Sequence, residues 1–149
     1  RMICLSIRIF KKKVLELLHS EKAILLSKYR LEQALENLNS ARKNFEIDEL
    51  KTANNRAYYC VFHAMRAVIA LDEQDFKKHS GIISYFREHY IKTKVFNRQC
   101  SDIVSSSSLI RNKSDYDDFY IASRQETHEQ VKNAQIFYEM VKDYLQQIY

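Results

Sequence analysis

The stretch Leu50 to Leu71, LKTANNRAYYCVFHAMRAVIAL, decides the fold. Leu50, Ala53, Ala57, Val61, Ala64, Met65, Val68 and Leu71 recur at helical steps, and Tyr58, Tyr59, Phe62 and Ile69 widen that stripe onto neighbouring faces. A helix that is apolar on more than one side needs cover on more than one side, so this segment is expected at the centre of an all-α bundle. Asp48 is the expected N-cap of this helix. Upstream, Leu31, Ala34, Leu35, Leu38, Ala41 and Phe45 step by three and four, which predicts a long helix over about 22–45. The short gap at Glu46 to Asp48 leaves room for a tight reversal only, making the two helices antiparallel neighbours.

Downstream the same spacing predicts three further elements. Ile82, Ile83, Phe86 and Tyr90 mark a short helix starting near Ser80, and Cys100, Ile103, Val104, Ser107 and Ile110 mark another ending near Arg111. The Ser105 to Ser108 run resembles low complexity, but Ser107 falls on the apolar stripe as a small residue that permits close helix approach. Residues 112–122 have no period and read as a loop, after which Ser123-x-x-Glu126 forms a capping box opening the last helix. In that helix Val131, Ala134, Tyr138, Val141, Leu145 and Ile148 run to the terminus.

Composition supports this reading. The 149 residues suffice for about one domain with a real core. Pro is absent and Gly81 is the single glycine, which excludes turn-rich β architectures and removes both the Rossmann fingerprint and the phosphate loop, each of which needs several glycines at fixed spacing. No cofactor is expected. The net charge of +5 is uneven: residues 1–30 carry +6 and the remainder −1, so the body is not a basic nucleic-acid binder in bulk, and a polyanion site there has to be a local cluster. Residues 1–20 read as a basic amphipathic extension of a domain over 21–149. Met2 to Phe10 is broken by Arg8, is followed rather than preceded by Lys11 to Lys13, and is too short for a membrane span, so neither export nor a membrane is expected. Cys4, Cys60 and Cys100 are far apart and fit a reducing cytoplasm better than a disulfide or zinc framework.

Three local patterns stand out: Asn55-Arg56-Ala57-Tyr58-Tyr59-x-x-Phe62-His63 on the central helix, Lys78-His79-Ser80-Gly81, and Arg111-Asn112-Lys113-Ser114-Asp115-Tyr116-Asp117. In this order and at these separations the chain resembles the small stand-alone prokaryotic members of the HEPN superfamily (higher eukaryote and prokaryote nucleotide-binding domains) over about residues 21–149. The resemblance implies an up-and-down bundle of four to five helices, a homodimer, and a place beside a minimal nucleotidyltransferase in a toxin–antitoxin or defence pair, with RNA or nucleotide as ligand. In ribonuclease members an Arg-x(4–6)-His motif contributed by both protomers cleaves RNA without metal: a base deprotonates the 2′-hydroxyl while cations stabilise the phosphorane.

Arg111 matches the arginine and Asn112 the polar residue after it, but Tyr116, Asp117 and Asp118 occupy the positions of the histidine. An aspartate is a poor base at neutral pH, so an active ribonuclease would need a displaced base, for which His63 and His79 are the candidates. Arg56 and Lys113 join Arg111 and Asn112 as candidate nucleotide or RNA contacts. The same residues have plainer readings: Arg56 and Arg111 as ion-pair anchors to Asp115 or Asp117, His63 as a core or interface histidine, His79 as a helix-start residue, Tyr58 and Tyr59 as core aromatics. Asp115, Asp117 and Asp118 lack a further ligand at set spacing, and no metal site is expected. The family likeness also implies that a tyrosine behind the arginine motif accepts AMP from the partner, and Tyr116 and Tyr120 occupy that place. A third reading, a non-catalytic dimeric adaptor, uses none of this chemistry.

Overall fold

A computed structural model describes residues 2–149; Arg1 lies outside the described residues. The bundle is all-α, with α1 (Met2–Glu46), α2 (Leu50–Ala70), α3 (His79–Phe86), α4 (Arg98–Tyr116) and α5 (Arg124–Gln146). A single π-helical turn, Arg87–Ile91, continues α3.

Helix α2 is central, as its all-round apolarity requires, packing against α1, α3, α4 and α5. Ala53, Ala57, Ala64 and Ala67 on α2 and Ala34 and Ala41 on α1 are all essentially inaccessible, and these methyl-sized contacts let the backbones lie close. Ser27 donates to the carbonyl of Ala67 at 2.7 Å, Arg30 to that of Arg66, and Arg56 to Asn37; partner numbers that fall as the chain rises establish the antiparallel pairing. Phe86, Val104, Phe137, Val141 and Leu145 close the remaining sides of the core.

The reversal after α1 differs from the sequence reading. Glu49, not Asp48, is the residue before α2, and it makes no side-chain cap; Asp48 is in the left-handed region at φ 60°. Glu73 (φ 55°) and Lys94 (φ 63°) end their segments the same way, so non-glycine residues take the conformation that glycine would supply at lower cost. Gly81 is needed for space instead: a Cβ there would lie 2.9 Å from Cβ of Phe76.

Two further boundaries move. Helix α4 runs five residues past Arg111 to Tyr116, because Ser114 faces inward and accepts a hydrogen bond from buried Asn54 at 3.1 Å, a polar anchor that apolar periodicity does not register. The irregular segment is therefore shorter than the 112–122 expected. Ser123 caps α5 by accepting from the Glu126 N–H, but the Glu126 carboxylate takes the Tyr120 hydroxyl, leaving only half of the capping box. Helix α1 continues without a break through residue 20; none of residues 2–22 is buried, and Ala23 is the first to reach the core. No helix among the described residues is long and apolar enough to cross a membrane.

Candidate functional site

The three sequence patterns meet on one face, where α2 presents its half-exposed stripe. Arg56, Tyr59, His63 and Arg66 follow one another at steps of three, four and three, and each is half-buried while most of the rest of α2 is covered. One end of this stripe is tied to α1 and α4. Asn55 accepts from Arg56 and donates to Asp115 Oδ2 at 2.8 Å; the same oxygen lies 3.0 Å from Arg111 Nε. Arg56 also reaches Asn37 Oδ1 on α1 at 3.1 Å. A continuous polar relay thus runs Asn37, Arg56, Asn55, Asp115, Arg111 across three helices.

Arg111 leans against aromatic faces. Its guanidinium carbon lies 5.1 Å from the Tyr58 ring centre, 5.6 Å from Tyr59 and 5.5 Å from Tyr116, and Nη2 donates to the Tyr59 hydroxyl at 3.3 Å. The Arg56 guanidinium carbon also lies over Tyr59, 5.1 Å from its ring centre. Such contacts hold a guanidinium in place without neutralising it, and the flat fork of arginine suits phosphate oxygens.

His79, at the start of α3, joins the cluster through Tyr58: its Nδ1 is 2.9 Å from the Tyr58 hydroxyl and its ring is 4.1 Å from that of Phe62. Burial, then Arg111 and Arg66, hold its pKa below the usual histidine value, so it is neutral at pH 7. His63 lies further along α2, against Tyr59 and Phe62, with a buried Nδ1 that has no hydrogen-bond partner among the described residues. Burial first, then Arg66, Arg30, Arg56 and His79, lower its pKa to about 4. Thus His79 shares Tyr58 and Tyr59 with Arg111, whereas His63 shares only Tyr59 with it and Phe62 with Arg66.

That second end is built on Arg30. Its Nη1 donates to the Arg66 carbonyl at 3.2 Å, and Asp75 Oδ2 receives both Arg30 and Arg66 at 3.1 Å. Asn112 and Lys113 are exposed beside Arg111, with Asn112 Oδ1 3.5 Å from Arg111 Nη1. The two tyrosines of the 116–120 segment differ: Tyr116 is 72% exposed, while the Tyr120 hydroxyl is held by Glu126 and its pKa is raised by burial and by that carboxylate. Among the described residues no group of His, Cys, Asp and Glu is arranged to hold a metal ion.

Sequence reading named Arg56, Arg111, Asn112 and Lys113 as candidate contacts and His63 and His79 as candidate bases on separate motifs, and left out Asn37, Asn55 as the bridge, and Arg66. The three-four-three spacing of Arg56, Tyr59, His63 and Arg66 was the available signal; the Asn55 to Asp115 contact, 60 residues apart, had none.

An all-α bundle whose central helix and late arginine motif share a face is the arrangement that the resemblance to HEPN domains implies. The family model described as the HEPN domain matches residues 27–144, and the chain belongs to that family. Among curated proteins it is 29% identical over 118 residues to "Putative toxin MJ0605" of Methanocaldococcus jannaschii, covering 79% of this chain and 87% of that protein. It is 25% identical over 115 residues to "Putative toxin MJ0142" of the same organism, covering 77% and 78%. A "UPF0332 protein" of Thermotoga maritima is 22% identical over 129 residues, covering 87% and 97%. The crystal structure of ST0689, an archaeal HEPN homologue, superposes with a TM-score of 0.57 at 16% identity over 80% of this chain and 97% of that one, a likeness of fold.

Proposed function

We propose that this chain is the toxin-like HEPN member of a toxin–antitoxin or stress module, that it works as a homodimer with a minimal nucleotidyltransferase as partner, and that it binds RNA or a nucleotide at the Arg111 face. The observation that carries the reading is the seating of Arg111 and Arg56 against Tyr58, Tyr59 and Tyr116, with Asn112 and Lys113 exposed alongside. Cations beside aromatic rings match a single-stranded ligand, whose phosphates pair with arginine and whose bases stack on an accessible ring such as Tyr116, with buried Tyr58 serving to seat the guanidinium. The names of the two methanogen relatives support the toxin-like part of the reading.

The test is fluorescence anisotropy with a labelled oligoribonucleotide in excess chelator. Arg111→Ala is expected to weaken binding by about 1–3 kcal/mol, a factor of roughly five to 150, with unchanged helicity. Unaltered affinity overturns the reading, and light scattering that finds a monomer at tens of micromolar removes the dimer.

One observation favours an active ribonuclease as the second reading: the Nδ1 of neutral His79 lies 2.9 Å from the Tyr58 hydroxyl, and the tautomer that donates from Nδ1–H to that oxygen has an unprotonated Nε2 to serve as the displaced base. RNA cleavage in chelator that His79→Ala abolishes would establish it; no cleavage by the wild-type chain leaves the binding protein. For modification by the partner, the exposed Tyr116 is the preferred acceptor over the tethered Tyr120. Incubation with the nucleotidyltransferase and ATP should add AMP at Tyr116, read by intact mass and peptide mapping.

A further inference from the structure

The N-terminal half of α1 carries a second surface that the bundle does not use. Ile3, Ile7, Phe10, Val14 and Leu17 alternate steps of four and three, and they are 77, 49, 69, 37 and 63% exposed. This is the seam of a heptad repeat, with Ile7 and Val14 at the a positions and Ile3, Phe10 and Leu17 at d, on an arm that at 1.5 Å per residue extends roughly 30 Å. It is not the core-facing stripe carried onward. Stepping back from buried Ala23, Ser27 and Arg30 reaches Ser20, Glu16 and Lys13, and the seam is rotated about 140° from that stripe at 3.6 residues per turn. The chain's own bundle therefore cannot cover the seam while α1 keeps its packing, and a contiguous apolar surface of this size marks an interaction site. The arm also precedes the 27–144 family match, so the family does not account for it.

We propose that this seam docks an acidic amphipathic helix of a partner protein. Charge selects the occupant. Lys11 and Lys13 are the charged residues at the e and g positions flanking the seam, and Arg8, Lys12 and Lys22 add to them against Glu16 and Glu21 alone. A second copy offers no acid at its flanks to meet these lysines. In parallel register it would also set Glu21, which takes the next a position of the seam, against its own counterpart, a like-charge pair inside the interface. A helix with Glu at its flanking positions and a basic residue facing Glu21 satisfies both features.

The probe is a synthetic peptide of about four heptads with Ile and Leu at its seam, Glu at e and g, and one Lys placed to face Glu21, compared with a twin carrying Lys at e and g. Titrated against the full chain at low salt, the Glu-flanked peptide should bind at least tenfold more tightly than its twin. The double variant Lys11→Glu/Lys13→Glu should reverse that preference, a readout that does not depend on the seam's apolar residues, with helicity checked by circular dichroism. Equal binding of the two peptides, or binding of neither, overturns the proposal. So does concentration-dependent self-association that Phe10→Asp abolishes, which assigns the seam to a second copy, or binding to anionic phosphatidylserine vesicles in preference to the peptide, which assigns it to a lipid surface. Arg111→Ala should leave all of these measurements unchanged, keeping this site separate from the RNA face.

Discussion

Two arginine–aspartate pairs sit at opposite ends of the α2 stripe, and they are built in opposite senses. Arg30 is enclosed, with 6% of its side chain exposed, and its partner Asp75 is 51% exposed; Arg111 and Asp115 are 16% and 24% exposed and share a rim. Arg30 spends its donors on a backbone carbonyl and on an acid already shared with Arg66, which makes it a strut between α1 and α2. Arg111 leans on rings and has exposed polar neighbours, which makes it a surface that a ligand can meet. The difference separates an enclosed arginine from one at an accessible rim, although in the sequence both are single cations on helices.

The largest expected effect breaks the Arg30 end. Burial lowers the Arg30 pKa, the neighbouring Arg66 lowers it further, and Asp75 opposes both. Asp75→Ala therefore leaves an enclosed cation beside a like charge with only the Arg66 carbonyl to meet it, and should cost about 2 kcal/mol in urea unfolding, the buried-pair figure reduced for the solvent that reaches half-exposed Asp75. Arg30→Met removes the charge and keeps the volume, and should cost only about 1 kcal/mol. The exposed acid thus matters more than the buried base. Equal costs would show that Arg30 is not enclosed enough to act as a strut.

Acid titration sharpens the same contrast. His63 has a folded-state pKa of about 4 and an unfolded value near 6.5, so the unfolded chain takes up the proton first and stability falls as pH drops below about 6.5. Above that window His63 is neutral in both states and contributes nothing. The loss near pH 5 is about 2 kcal/mol, and His79, shifted the same way, adds to it. His63→Gln should flatten the pH dependence between about 4 and 6.5; an unchanged profile assigns the acid sensitivity elsewhere.

The legibility of these features in the sequence follows the kind of contact that made them. Apolar packing left its spacing in the chain, so α2's centrality, its antiparallel pairing with α1, and buried Ser107 on the α4 stripe could all be read. Polar packing left none: Ser114 extends α4 through one hydrogen bond from Asn54, and the π-helical turn at Arg87–Ile91 has no periodic mark. At the site, Arg111 and the Asn55-Arg56 segment were visible as separate motifs. The Arg111–Asp115 ion pair was one of the anchors the sequence offered, at i,i+4 spacing, but the Asn55 side chain that joins α2 to that carboxylate is a tertiary contact with no mark in the spacing.

At the rim, folding should depend little on the arginine itself. Arg111→Ala removes an i,i+4 ion pair and a hydrogen bond to Tyr59, both partly solvated, and is expected to cost about 0.5–1 kcal/mol of stability. A cost near that of Asp75→Ala would make Arg111 a second strut and remove the contrast between the two ends.

The smallest effect discriminates most directly between a strut and a binding cation. Asp115 sits between Arg111 and Asn55, so its carboxylate partly cancels the charge that a polyanion would meet. Asp115→Asn keeps an oxygen that accepts from Asn55 while deleting the negative charge, so stability should change by less than about 0.5 kcal/mol. If RNA lies across Arg111, its affinity should rise about threefold at low salt, roughly 0.6 kcal/mol, as one partly screened repulsion is removed. The gain should shrink as salt is raised, since the interaction it reports is Coulombic and exposed to solvent. A mere ion-pair anchor has a different signature: Asp115→Asn would loosen the fold and leave RNA affinity unmoved. The anisotropy titration that measures Arg111→Ala therefore also measures Asp115→Asn, and the two variants must move affinity in opposite directions for the Arg111 face to be the binding surface.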